Sequence, residues 1–129
     1  MQRQHFLRAA VAATVTATLA LTTLGAAAQA WPSKPVKFII PFPPGGTLDT
    51  VGRLLAQKLQ EQLGQTFIVE NRAGGNGMIG SDAVAKAPAD GYTLLFNAST
   101  FTTTPMTVKS APYDVLRDFA PVAMVAKAP

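Results

Sequence analysis

Apolar residues along this chain fall into short runs separated by Gly, Pro and polar residues, and their period alternates. Val36-Lys37-Phe38-Ile39-Ile40 is rich in β-branched and aromatic residues and stops at Pro41, which predicts a strand. Phe42-Pro43-Pro44-Gly45-Gly46 follows, where consecutive Pro and Gly exclude both helix and ladder pairing, and Pro44-Gly45 suits the centre of a type II turn. From Leu48 the period becomes helical: Val51, Leu54, Leu55, Leu59 and Leu63 share one face, and Arg53, Gln57, Gln60 and Glu61 take the other. Thr47 is the expected N-cap, Asp49 sits in the first turn where the helix dipole favours acid, and Gly64 is placed to stop the helix.

The alternation continues. Thr66 to Glu70 predicts a second strand, leading into Asn71-Arg72-Ala73-Gly74-Gly75-Asn76-Gly77. Met78 to Ala87 reads as a short helix ended by Pro88-Ala89-Asp90-Gly91, and Tyr92 to Phe96 as a third strand running into Asn97-Ala98-Ser99-Thr100 and then Thr102-Thr103-Thr104-Pro105. Residues 113–121 read as a loop or short helix, and Val122 to Val125 as the start of another strand. Alternating strand and helix predicts an α/β fold around a parallel sheet. With no helix after that last strand, we expect a piece of a longer protein, the alternative being a small complete α/β layer.

The first 30 residues follow another logic. Met1 to Arg8 is a short cationic segment, Ala9 to Leu24 an apolar stretch, and Ala28-Gln29-Ala30 a small-x-small cleavage motif, together the pattern of a secretory signal cut after Ala30. About 16 apolar residues diluted by threonines fall short of the ~20 that a membrane span needs. The domain expectation is therefore residues 1–30 as a cleavable signal and 31–129 as the folded part.

Charge and composition then exclude function classes. Of 11 Lys and Arg, Arg3 and Arg8 lie in the signal, leaving nine against seven acidic residues, a net charge of +2 with no basic cluster. That is no nucleic-acid footprint. Cys is absent, and the one His, His5, lies in the signal. Thiol nucleophiles, thiolate metal sites and Ser/His/Asp triads are thereby excluded, and no cofactor is expected.

Chemistry is expected at the carboxyl ends of the strands, where open parallel sheets bind ligands and helix N-termini present unpaired N–H groups. The segments after all three strands are Gly-rich or hydroxyl-rich, and so bring backbone N–H groups and hydroxyls close to a ligand without bulk. This suits a carboxylate; the plain alternative is that the glycines only make turns and caps. Asp49 either caps and orients its loop or repels a bound anion. Gly75-Asn76-Gly77-Met78-Ile79-Gly80 spells G-x-G-x-x-G, but four residues separate it from its strand and no acidic residue ends the next strand, which disfavours a dinucleotide site. Gly46-Thr47 lacks the Lys of a triphosphate loop. Arg72 either pairs a carboxylate or is a surface charge, and Trp31 and Tyr92 are read as packing residues.

Five ordered motifs carry a family resemblance: Trp31-Pro32-Ser33-Lys34-Pro35-Val36, Pro41 through Asp49, Val69 through Gly80, Ala87 through Leu95, and Tyr113-Asp114 through Val122. The chain resembles the Bug family, the extracytoplasmic solute-binding receptors of tripartite tricarboxylate transporters. The resemblance implies a periplasmic-binding-protein-like fold of two α/β lobes in about 300 residues, of which this chain holds the N-terminal part of lobe one. It also implies that the ligand carboxylate is gripped by Pro44, Gly45, Gly46, Thr47 and Asp49, and by Asn97, Ala98, Ser99 and Thr100, through N–H, hydroxyl and bridging water. Ser99-Thr100-Phe101-Thr102 departs from the family pattern, in which His or Asn often follows.

The expected function is a periplasmic, non-enzymatic, monomeric receptor that captures a small carboxylate for membrane permease subunits. Two alternatives stand beside it. An orphan receptor would present its ligand to a sensor, and an exported hydrolase would pair Asp49 with a hydroxyl but lacks a conventional base.

Overall fold

The computed structural model describes residues 30–127; the expected export signal lies outside the described residues. In chain order the elements are β1 (Val36–Ile40), α1 (Thr47–Leu63), β2 (Phe67–Asn71), a 3-10 turn (Gly75–Gly77), α2 (Met78–Ala85), β3 (Thr93–Leu95) and α3 (Thr100–Thr107). The three strands form one parallel sheet in the order β2-β1-β3, with Phe38 in register with Val69 on one side and Leu94 on the other. The expected α/β parallel architecture is therefore present. Among the described residues no helix is long and apolar enough to cross a membrane.

Side-chain alternation along β1 splits the sheet into two faces. Val36 and Phe38, with Phe67, Val69 and Leu94, pack under Leu55, Ala56 and Leu59 of α1. Phe38 meets Phe67 edge-on at 5.5 Å and stacks on Phe96 at 6.2 Å. Burial of Val36, Phe38 and Phe67, which are nearly inaccessible, contributes about 2 kcal/mol each. Ile39 points to the opposite face, where Lys37, Glu70 and Thr93 line a groove with Ala83 and Ala87 beside α2. Helices α1 and α2 thus lie on opposite faces.

Gly80 explains how α2 sits so close to the end of β1. A Cβ built there would lie 2.7 Å from Pro41 Cβ and 2.9 Å from the Arg72 carbonyl oxygen, so only glycine permits the approach. At the amino edge of the sheet the chain before β1 is clasped to the turn before β3. The Ser33 N–H donates to the Tyr92 hydroxyl at 3.0 Å, Lys34 pairs with Asp90 at 2.9 Å, and the Trp31 ring lies 6.2 Å from that of Tyr92. Tyr92 packs against the core as expected, whereas Trp31, 49% exposed, touches it only through the Tyr92 ring.

Two expectations require correction, and one element was not anticipated. The N-cap of α1 is Gly46, with Thr47 as the first helical residue; the Gly46 carbonyl accepts the first helical bond, from Thr50 N–H at 3.0 Å, and no side chain caps the end from that position. Thr100–Thr107 is a helix, although threonine and an internal proline both argue against one. Val122 to Val125 is not a strand: it pairs with no neighbour among the described residues and Val122 and Met124 are exposed, and a strand's backbone needs a ladder partner whatever its side-chain pattern.

Candidate functional site

Strand order 2-1-3 creates a topological switch point. From β1 the chain crosses by α1 to β2 on one side; from β2 it crosses by α2, on the opposite face, to β3 on the other side. Loops leaving β1 and β3 therefore diverge to opposite faces and leave a crevice between them at the carboxyl edge, the position where such sheets bind ligands. Pro44, Gly45, Gly46 and Thr47 occupy the first loop and the start of α1, while Asn97, Ala98, Ser99 and Thr100 occupy the second loop and the start of α3. All nine expected site residues thus belong to the two segments that flank the switch point. No hydrogen bond between those two segments is present among the described residues.

The first loop is built around Gly45, whose φ of 87° is the left-handed value that the third position of a type II turn demands. Gly46 follows in extended conformation and opens α1, so the N–H groups of Thr47 and Leu48 precede the first helical bond and have no acceptor within the helix. A Cβ on Gly46 would come no closer than 3.9 Å to any neighbour, the Pro43 carbonyl oxygen. Space above Gly46 is therefore open on the solvent side.

Asp49, third residue of α1, is 5% exposed and orients this loop. Its Oδ2 accepts the Gly45 N–H at 2.9 Å and Arg53 Nε at 3.0 Å, and its Oδ1 accepts Asn71 Nδ2 at 2.9 Å. Reaching back from the third helical position to the chain before the helix is half of a capping box, displaced by one residue. Arg53 first, then the Gly45 N–H and Asn71, hold the Asp49 carboxyl down at about 2, so it is a carboxylate at any physiological pH. Neither Arg53 nor Asn71 was among the expected site residues. The signal in the sequence was the i, i+4 spacing of Asp49 and Arg53; nothing there links them to Asn71, 22 residues further on.

In the second loop the Asn97 Oδ1 accepts the Ala98 N–H at 2.7 Å and the Thr100 hydroxyl at 3.5 Å, while its Nδ2 reaches the fully buried Ser81 hydroxyl at 3.4 Å. Asn97 is thus a bracket between loop and α2. The Ser99 carbonyl accepts from Thr102 and Thr103, starting α3. Its N-terminal N–H groups and the hydroxyls of Ser99 and Thr100 are the donors this segment carries.

The loop between β2 and α2 has a supporting part. Asn76 Nδ2 donates to Thr104 Oγ1 at 3.0 Å, tying the 3-10 turn to α3. Its glycines make the turn and the Gly80 contact, consistent with the structural alternative to a dinucleotide motif. Arg72 pairs with Glu70 at 2.6 Å, both half exposed, as the surface-charge reading had it. Among the described residues no group of three or more His, Cys, Asp or Glu is placed to hold a metal.

A parallel sheet with backbone N–H groups and hydroxyls on both sides of its switch point, and with the Asp49 carboxylate already paired, is the architecture of an α/β ligand-binding fold. The chain belongs to the tripartite tricarboxylate transporter receptor family, whose model matches residues 51–129. It is 49% identical over 107 residues to protein BugT of Bordetella pertussis, covering 79% of this chain and 32% of BugT. Two solved structures resemble it: a periplasmic transporter, 44% identical with a TM-score of 0.62 over 66% of this chain and 29% of that one, and R. palustris Rpa4515 with adipate, 40% identical with a TM-score of 0.63 over 65% and 28%. The chain spans about a third of the length of the curated relatives it matches.

Proposed function

We propose that this chain is the ligand-gripping N-terminal part, residues 31–129, of a periplasmic receptor that captures a small carboxylate for the permease subunits of a tripartite transporter. Residues 1–30 are its export signal, cleaved after Ala30. The carrying observation is the position of the two donor-rich loops on either side of the switch point, with Asp49 neutralised by Arg53. A carboxylate seated there receives N–H bonds from the start of α1 and from the start of α3, charge-assisted and directed by two helix dipoles. No bond of the ligand is made or broken; function lies in the difference in affinity between open and closed states of the receptor. Adipate is the first ligand to test, because the R. palustris relative carries it.

The test is calorimetric titration of a carboxylate panel, adipate first, into two proteins. One is the mature chain; the other is a chimera in which the chain replaces the matched third of BugT. The chimera is expected to bind at least one carboxylate, and Gly46→Val to abolish binding with little change in unfolding temperature, since its Cβ has room in the fold. A chimera that binds no member of the panel, or a Gly46→Val variant that binds like the parent, overturns the assignment. The mature chain is expected to bind at least 100-fold more weakly than the chimera, because half of the cleft is supplied by the second lobe.

A further inference from the structure

The Asp49 carboxylate raises a problem that the proposed function must solve. It lies in the first turn of the helix whose N–H groups are to hold an anion, and an unpaired carboxylate there would repel one. Both of its oxygens are nevertheless occupied, by Gly45 N–H and Arg53 Nε on one and by Asn71 Nδ2 on the other. Asn71 closes the ring: its Nδ2 also donates to the Phe42 carbonyl at 3.0 Å, and its Oδ1 accepts Arg53 Nη2 at 2.8 Å. Every hydrogen-bonding atom of the Asn71 side chain is thus directed at the first loop, at Asp49 or at Arg53. An aspartate of the same shape could not replace it, because it could donate neither to Phe42 nor to Asp49.

We propose that Arg53 and Asn71 are positioning residues for carboxylate capture: acting through Asp49, they fix the Gly45 turn and cancel the negative charge that Asp49 places beside the ligand's seat. Neither touches the ligand. Arg53 gives its Nε to Asp49 and its Nη2 to Asn71, and its charge offsets that of Asp49, so that the local field is that of the helix N-terminus. Asn71, last residue of β2, transmits the position of the sheet edge to the loop. This inference rests on the proposed function and adds to it the residues that make the first loop an anion seat.

Adipate titration of the chimera separates this role from a merely structural one. Arg53→Gln leaves Asp49 uncompensated and is expected to weaken binding about tenfold. Asp49→Asn combined with Arg53→Gln removes both charges while an amide oxygen still accepts from Gly45; affinity is expected to rise at least about threefold above that of Arg53→Gln, though the unfolding temperature does not recover. A purely structural pair would lose affinity and stability together, so a double variant that binds no better than Arg53→Gln overturns the proposal. Should Arg53→Gln fail to fold, the isosteric Asn71→Asp serves instead, with about tenfold weaker binding expected and parental affinity overturning the role. Slowed hydrogen exchange at the Gly45 amide of the mature chain, lost in Asn71→Asp, reads the network without any ligand. Unchanged exchange refutes the positioning role even if the receptor binds no adipate, whereas a parent chimera that ignores the whole panel indicts the functional reading.

Discussion

A carboxylate in the first turn of a helix is stabilised by the same N–H dipoles that attract an anion, so Asp49 and a ligand would share one field were Asp49 not saturated by other donors. Its lowered pKa has a direct thermodynamic consequence. A carboxyl held below its unfolded value of ~3.9 adds stability that is present above that pH and lost as pH falls toward its folded value, here about 2. Asp90, held down by Lys34 and the Tyr92 N–H, and Asp114, held down by the Leu116 and Arg117 N–H groups, act in the same direction. Thermal stability should therefore drop between about pH 4 and pH 2, and Asp49→Asn should be less stable than the parent at pH 7 while the gap between them narrows across that window. Circular dichroism melts at pH 7, 4 and 2.5 check this; a gap that widens with acid contradicts it. Gly80 gives a second residue-scale test. Alanine is favoured over glycine in a helix by about 1 kcal/mol, yet its Cβ here meets Pro41 and the Arg72 carbonyl below 3 Å. Gly80→Ala is expected to destabilise by about 1 to 3 kcal/mol in urea unfolding, the sign opposite to propensity.

At the scale of elements, the strands and the long helix were legible because each is specified by its own residues. Val36–Ile40 is buried at every position but Lys37, and Leu55 and Leu59 of α1 pack on the sheet as their spacing predicts, whereas Leu54 and Leu63, expected on the same face, are exposed. Helix α3 was not legible, because what holds it lies outside it. Pro105 has no N–H to give the carbonyl of Phe101, four residues earlier, and the Tyr113 hydroxyl supplies the bond instead, at 3.3 Å. Phe101, Tyr113 and Phe119 then pack as a triad, with ring centroids 4.8 to 5.6 Å apart. Tyr113→Phe keeps the triad and removes the hydroxyl, so it should cost about 1 kcal/mol by urea unfolding, while Pro105→Ala in that background should restore it by supplying the missing N–H. No recovery would mean that the Phe101 carbonyl is not the group at stake. The reverse error arose at Val122 to Val125, where composition promised a strand but no partner strand is paired with it.

For the molecule as a whole, the candidate site residues could be read from sequence as segments at the carboxyl edge of a parallel sheet, but the crevice between the β1 and β3 loops depends on the 2-1-3 order, which no local pattern encodes. Asn71 joined the network only when β2 was placed beside β1. The same architecture separates function from titration. Backbone N–H groups and hydroxyls carry the proposed grip, and residues 31–129 contain no imidazole. Carboxylate affinity of the chimera should therefore stay constant from pH 6 to 8, and a change greater than about threefold would require a titrating group in the seat. The clasp at the amino edge has a last consequence, for spectroscopy. Trp31, the only tryptophan in the sequence, rests against Tyr92 at the end of the sheet opposite the two loops, with a five-residue strand of ~16 Å between them. Its emission will change when the clasp opens and stay constant when the crevice fills, so this chain carries a built-in fluorophore for unfolding that is blind to its ligand.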